Sequence, residues 1–360
     1  MASENVKKKP LRIALIASER TLCEYSIFLE HLMVGLADES VQVALVYPPG
    51  CDVDTVFTGA AEVIGHPVFN LPLFAPLNTR LLVERLAKFE PTVLHCLCES
   101  KASLTRQLAH RLDLPYVLMV DSLQKRRRHL AISSKHCTKI IVPTKSIAAN
   151  LASVHPNFTD RVEQINIGTF VAERSVCFSE PFRLPTMVMA DPLNKADDFE
   201  NLLSVIRHLM IDGYEFMTVI VGGGRAERQL WKLLSALGLL HIVSIVPRHM
   251  PWRSVLAAGD VFIQPQPNFA FDPVLLEAMS IGAAVAGCKS GVDDLIIEDR
   301  TAVVFDPNDE LSIKRTLQRL LDRKEFARQI AGTAQQYLRE NHSVSKMIAA
   351  ILHAYYEAQE

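Results

Sequence analysis

The stretch Gln264-Pro-Gln-Pro-Asn-Phe-Ala-Phe-Asp-Pro-Val-Leu-Leu-Glu277-Ala-Met-Ser-Ile-Gly-Ala-Ala-Val-Ala286 reads as strand end, loop, helix and strand. Residues 261–264 close a short apolar strand. Asp272 is a good N-cap, because its carboxylate can accept from free N–H groups of the first turn. Pro273 suits the first helical position, where no N–H is needed. Val274, Leu275, Ala278 and Ile281 recur at helical spacing and make one packed face. Gly282 stops the helix, and residues 283–286 read as the next buried strand. Glu277 is the one carboxylate on an otherwise apolar helix.

Working outward, the same alternation covers the chain. Strands are expected at 11–17, 41–46, 92–95, 116–120, 139–144 and 162–166, with helices at 24–38, 81–89 and 102–112. The first domain closes near Gly168. Residues 172–184 mix charge with Pro181 and show no period, so they read as an interdomain linker. Strands then recur at 186–190, 216–221, 242–246, 261–264, 283–286 and 302–305, with helices at 199–210, 226–237 and 251–258. Three helices end the chain, at 310–321, 324–340 and 344–358. The expected fold class is α/β, with two doubly wound, Rossmann-like domains at 1–172 and 173–342 and a last helix within 343–360.

The chain has 360 residues, enough for two domains with full cores. Its net charge is −2, which gives no whole-protein attraction to nucleic acid. No apolar run reaches the ~20 residues of a membrane span. Lys7, Lys8 and Lys9 precede the first apolar stretch, but Arg12 interrupts it and Glu19 and Arg20 follow, which does not suit a secretion leader. Seven scattered cysteines without framework spacing point to a reducing compartment and no disulfides. Cys96 and Cys98, expected on one strand, read as small core residues, and no metal site is expected. A cytoplasmic location is expected. The run Lys125-Arg126-Arg127-Arg128-His129 suits either contact with anionic lipid head groups or a solvated helix face.

Two further places could carry chemistry. Gly222-Gly223-Gly224-Arg225 follows a strand and opens a helix, where free N–H groups and the helix dipole suit a phosphate; a plain tight turn accounts for the same glycines. His95 ends the strand 92–95, at the carboxyl edge where ligands collect in doubly wound sheets. A hydrogen-bonded structural histidine explains it equally well.

Glu277-Ala278-Met279-Ser280-Ile281-Gly282 resembles the second half of the signature of nucleotide-sugar glycosyltransferases with the GT-B fold, family-four type. Gly222 to Arg228 resembles the family's Gly-Asp-Gly-Pro-x-Arg loop, Leu237-Gly238-Leu239 the segment after it, and Lys195-Ala196-Asp197-Asp198 its Lys-Gly-x-Asp. Residues 90–95, 290–296 and 298–307 resemble further family segments. The resemblance implies two domains facing a cleft, with C-terminal helices packing back on the first domain. It implies retaining transfer of a sugar from a nucleoside diphosphate to a hydroxyl acceptor, with no metal and no cofactor. It would place Lys195 and the loop Gly222 to Arg225 on the diphosphate, with Phe271 and Asp272 in the loop beside it, Glu277 on the ribose hydroxyls, and His95 and Asp121 on the acceptor side. The implied partners are a nucleotide sugar and a sugar or lipid-linked acceptor, most often in polysaccharide synthesis.

Four positions depart from the pattern. Phe269 stands where the signature has its first glutamate, so the catalytic position is unassigned. Ala190 stands for an arginine, Val120 for the histidine before Asp121, and Asp272 for a glycine. The loop 18–22 also lacks the family's paired glycines. These losses motivate a second reading, a non-catalytic GT-B-like subunit that binds a sugar, a nucleotide or a partner enzyme.

Overall fold

The chain folds as two units in a computed structural model that describes residues 10–51, 59, 61–68, 72–125, 130–247 and 252–360. One unit is Met1–Gly168 with Val344–Glu360, and the other is Thr169–Ser343.

The first unit holds β1 (Arg12–Ile16), α1 (Glu19–Glu24), α2 (Ser26–Asp38), β2 (Gln42–Tyr47), β3 (Glu62–Gly65), α3 (Ala75–Phe89), β4 (Val93–Cys96), α4 (Ala102–Leu112), β5 (Tyr116–Met119), β6 (Cys137–Val142), α5 (Lys145–Val154) and β7 (Val162–Gln164). The strands form one parallel sheet in the order β3-β2-β1-β4-β5-β6-β7. Its central strands are mostly apolar because helices cover both faces; every residue of β4 and β5 is buried, His95 included. The direction of winding reverses between β1 and β4, which makes their carboxyl ends the topological switch point.

The second unit repeats the plan. It holds β8 (Thr186–Ala190), α6 (Glu200–Ile211), β9 (Met217–Val221), α7 (Glu227–Leu237), β10 (Val243–Val246), α8 (Trp252–Ala257), β11 (Val261–Ile263), α9 (Pro273–Ser280), β12 (Ala284–Gly287), β13 (Val303–Val304), α10 (Glu310–Asp322) and α11 (Lys324–Asn341). Its parallel sheet has the order β10-β9-β8-β11-β12-β13, so the switch point lies between β8 and β11. The last helix, α12 (Val344–Ala358), belongs to the first unit and packs on α2, β5 and β6. Its Ile348 lies so close to Gly35 of α2 that a Cβ there would sit 2.6 Å from it.

The structure differs from the sequence reading in several places, one being helix α5, which was not expected. Residues 18–22 are not a loop: Ser18 caps α1, its hydroxyl accepting from the Thr21 N–H while Thr21 Oγ1 accepts from the Ser18 N–H. That reciprocal capping box replaces the glycine turn. Strand β3 was not expected, because it is a four-residue edge strand with only Ile64 buried. Cys98 lies beyond the strand, which ends at Cys96, so the two cysteines do not share one element; two residues apart on a strand, they would have faced the same side. Residues 172–184 do not run loose. The Ala172, Val176 and Cys177 N–H groups donate to the carbonyls of Ser280, Ile281 and Gly282, and Cys177 and Phe178 join the core of the second unit.

Candidate functional site

The edge of interest in the second unit is the carboxyl end of β8, β9 and β11. The loops after β8 and β9 are laced together by backbone bonds. Leu193 N–H donates to the Gly223 carbonyl at 3.3 Å and Ala226 N–H to the Leu193 carbonyl at 2.9 Å. This lacing dictates two of the glycines. A Cβ on Gly222 would lie 2.3 Å from the Asp191 carbonyl oxygen, and one on Gly224 would lie 2.3 Å from that of Leu193. Gly223 faces open space, with nothing within 4 Å of a Cβ. The glycines at 222 and 224 thus serve the turn, and Gly223 keeps an approach to the backbone open. Arg225 donates through Nε to the Asn194 carbonyl at 3.2 Å, so the lacing carries it beside the loop that ends in Lys195. Lys195 is exposed and has no ion-pair partner among the described residues. The structure therefore brings Lys195, Gly223 and Arg225 to one sheet edge.

The loop after β11 borders the same switch point. Gln266 Nε2 donates to the Asp198 carbonyl at 2.9 Å and ties it to the β8 side. Asp272 caps α9 through Oδ1, which accepts from the Val274 and Leu275 N–H groups at 2.9 and 3.1 Å, and its Oδ2 accepts from Asn268 Nδ2 at 2.9 Å. The Asn268 carbonyl accepts from Val292 N–H at 2.7 Å, an approach that a side chain at Gly291 would block at 2.0 Å. Phe271 is 2% exposed and belongs to the core, whereas Phe269 on the same loop is 68% exposed.

Glu277 is deeply covered at 1% exposure. Its Oε1 accepts from Thr169 Oγ1 at 2.5 Å, and its Oε2 lies 3.3 Å from Arg253 Nη2 of α8. All eight residues of α9 are buried, which holds this carboxylate inside the unit. Neither Thr169 nor Arg253 stands out in the sequence; a threonine near a boundary and an arginine on a short helix carry no local signal. A groove of about 400 Å³ is lined by Pro267, Lys289, Ser290 and residues 304–308, and none of Lys195, Gly223 or Glu277 borders it.

In the first unit the switch point carries a charged cluster. Arg20 Nη1 lies 3.1 Å from Asp121 Oδ2, Arg20 Nε donates to Glu24 at 2.7 Å, and the Tyr25 hydroxyl is bonded to Asp121. Glu99 accepts from the Ser122 N–H and hydroxyl at 3.3 and 2.8 Å, and burial pushes its carboxyl above the ordinary value. His95 is not presented at this edge. It is 1% exposed, its Nδ1 lies 2.6 Å from the Tyr355 hydroxyl of α12, and burial pulls its pKa down to about 3. It is the core histidine of the two readings.

Burial pushes the thiols of Cys96, Cys137, Cys177 and Cys288 up to about 12, so they stay neutral at ordinary pH. Among the described residues no group of three or more His, Cys, Asp or Glu side chains could hold a metal ion, and no helix is long and apolar enough to cross a membrane. Of the basic run only Lys125 lies within the described residues; Arg126, Arg127, Arg128 and His129 lie outside them.

Residues 180–337 match the glycosyl transferases group 1 family. That group 1 segment runs from the lead-in to β8 into α11 and contains Lys195, Gly223, Arg225, Arg253, Asp272 and Glu277 but not Thr169. Sulfoquinovosyl transferase SQD2 of Arabidopsis thaliana is 27% identical over 334 residues, 83% of this chain. The chain spans 64% of that relative's length. Solved structures share the GT-B fold. HepE of Anabaena in complex with UDP-glucose superposes with a TM-score of 0.77 at 12% identity, covering 96% of this chain and 100% of that one. Sucrose-phosphate synthase of Thermosynechococcus elongatus gives 0.76 at 16% identity, covering 96% and 98%.

Proposed function

We propose that the chain is a glycosyltransferase that moves a sugar from a nucleoside diphosphate to a hydroxyl acceptor with retention of configuration, the second unit holding the donor. The observation that carries this is the meeting of Lys195, the open backbone at Gly223 and Arg225 at one sheet edge inside the group 1 segment. A cation beside an open glycine backbone can neutralise a departing diphosphate. HepE, similar in fold, binds UDP-glucose, which supports a nucleotide sugar as the donor class. The first unit would orient the acceptor through the Arg20–Asp121 and Glu99–Ser122 groups. No cofactor is required by this scheme.

The exposed Phe269 and the self-capped Asp272 favour a second reading. A phenyl ring cannot accept from a sugar hydroxyl, and the Asp272 carboxylate puts negative charge near the place proposed for the phosphates. On that reading the fold binds a nucleotide or a sugar without transferring it.

Calorimetric titration with a panel of nucleotide sugars and their free nucleoside diphosphates, with Lys195→Ala as control, tests both. Saturable binding weakened in the variant supports the donor site. Sugar release in the presence of a hydroxyl acceptor then separates transferase from binding protein. Absence of binding across the panel sinks the donor reading.

A further inference from the structure

Arg253 and Glu277 form a pair with very unequal access to water: the arginine side chain is 47% exposed and the glutamate side chain 2%. A carboxylate taken out of water must be paired. Thr169 Oγ1 serves one oxygen at 2.5 Å, and Arg253 serves the other, with Ser280 Oγ 3.4 Å from it. A ligand approaching from solvent therefore meets the guanidinium before the carboxylate. A guanidinium carries five N–H donors in a planar fork, and the contact to Glu277 is through Nη2. At the start of the same helix as Glu277, Asp272 already takes the Val274 and Leu275 N–H groups. An anion in this unit must thus be held by side-chain cations more than by that helix end.

The geometry points to Arg253 as a binding residue for the phosphate groups of a nucleoside diphosphate, with Thr169 and Glu277 as the positioning residues that aim it. This rests on the donor reading above. A forked cation held by a buried acceptor gives directional contact with phosphate oxygens, which a free lysine does not.

The test is titration of the full chain with UDP, GDP and ADP and with the matching nucleosides uridine, guanosine and adenosine, followed by ligand-observed NMR. Arg253→Ala should weaken diphosphate binding about tenfold to a hundredfold, the range of a hydrogen bond to a charged group, and leave nucleoside binding unchanged. Arg253→Lys should restore only part of the loss, and added salt should shrink the difference. Thr169→Val should weaken diphosphate binding less, again without touching the nucleosides. Equal loss for diphosphate and nucleoside, or no loss for either, overturns the proposal and leaves Arg253 as a cover for Glu277. If Arg253→Ala does not fold, Arg253→Lys against the parent decides, and equal affinity for the diphosphates overturns it. A parent protein that binds none of the six ligands overturns the donor reading itself.

Discussion

Asp272 does two opposed things at one position. It stabilises α9 by accepting from two first-turn N–H groups, and it places a carboxylate at the sheet edge where the diphosphate is proposed to lie. Two like charges ~4 Å apart repel by about 4 kcal/mol at an effective dielectric near 20. Asp272→Gly should therefore raise UDP affinity by at least about tenfold, while the lost cap costs only a few tenths of a kcal/mol against glycine. Adding Phe269→Glu should raise affinity for the nucleotide sugar further; unchanged affinity in calorimetry would show that the edge takes another ligand. His95 makes a separate prediction about stability. Its folded pKa of about 3 lies below the ordinary 6.5, so the unfolded chain binds the proton first as pH falls. The contribution is complete above pH 6.5 and is lost between there and about 3, at up to about 1.4 kcal/mol per pH unit. His95→Gln should flatten the fall in urea midpoint between pH 7 and pH 4.5; an unchanged slope would show that other groups carry it.

At the scale of elements, the strand-to-helix turns decide what the edge can offer. The turn after β9 is held by backbone bonds to residues 191–194, and Gly222 and Gly224 have no room for a side chain. Gly222→Ala or Gly224→Ala should destabilise by about 1–3 kcal/mol, because the nearest atoms are backbone and cannot swing away. Gly223→Ala meets nothing and should leave the melting temperature unchanged. If the open face at Gly223 admits a phosphate, the same substitution should lower UDP affinity. The turn after β1 solves the same problem differently: the Ser18–Thr21 box makes it a helix start. Its signal, a serine three residues before a threonine, is weaker than the usual glutamate or glutamine at that position, so the family's glycine loop was the more visible comparison.

For the whole molecule, the chain leaves the first unit at Gly168, builds the second, and returns with α12. Tyr355, fully buried, and Ile348 of α12 complete the first unit's core. A chain ending at Ser343 should therefore lose the first unit's cooperative unfolding, while Thr169–Ser343 alone should fold, as circular dichroism and thermal melting would reveal. A stable first unit without α12 would contradict this. The two α/β repeats were legible because parallel strands covered on both faces must be apolar throughout, and caps such as Asp272-Pro273 and stops such as Gly282 act within one helical turn. The glycine turn after β9 was legible for the same local reason, since Gly222 and Gly224 have no room for a side chain. The roles of His95, Glu277 and Arg253 were not. Each depends on a partner far away in the chain: Tyr355 is 260 residues from His95, and Thr169 is 108 from Glu277. Sequence alone determined the alternation of elements and the doubly wound class with its switch-point edge. Only the tertiary structure decided which polar groups stay open there, because burial and pairing are set by what the fold brings together and not by neighbours along the chain.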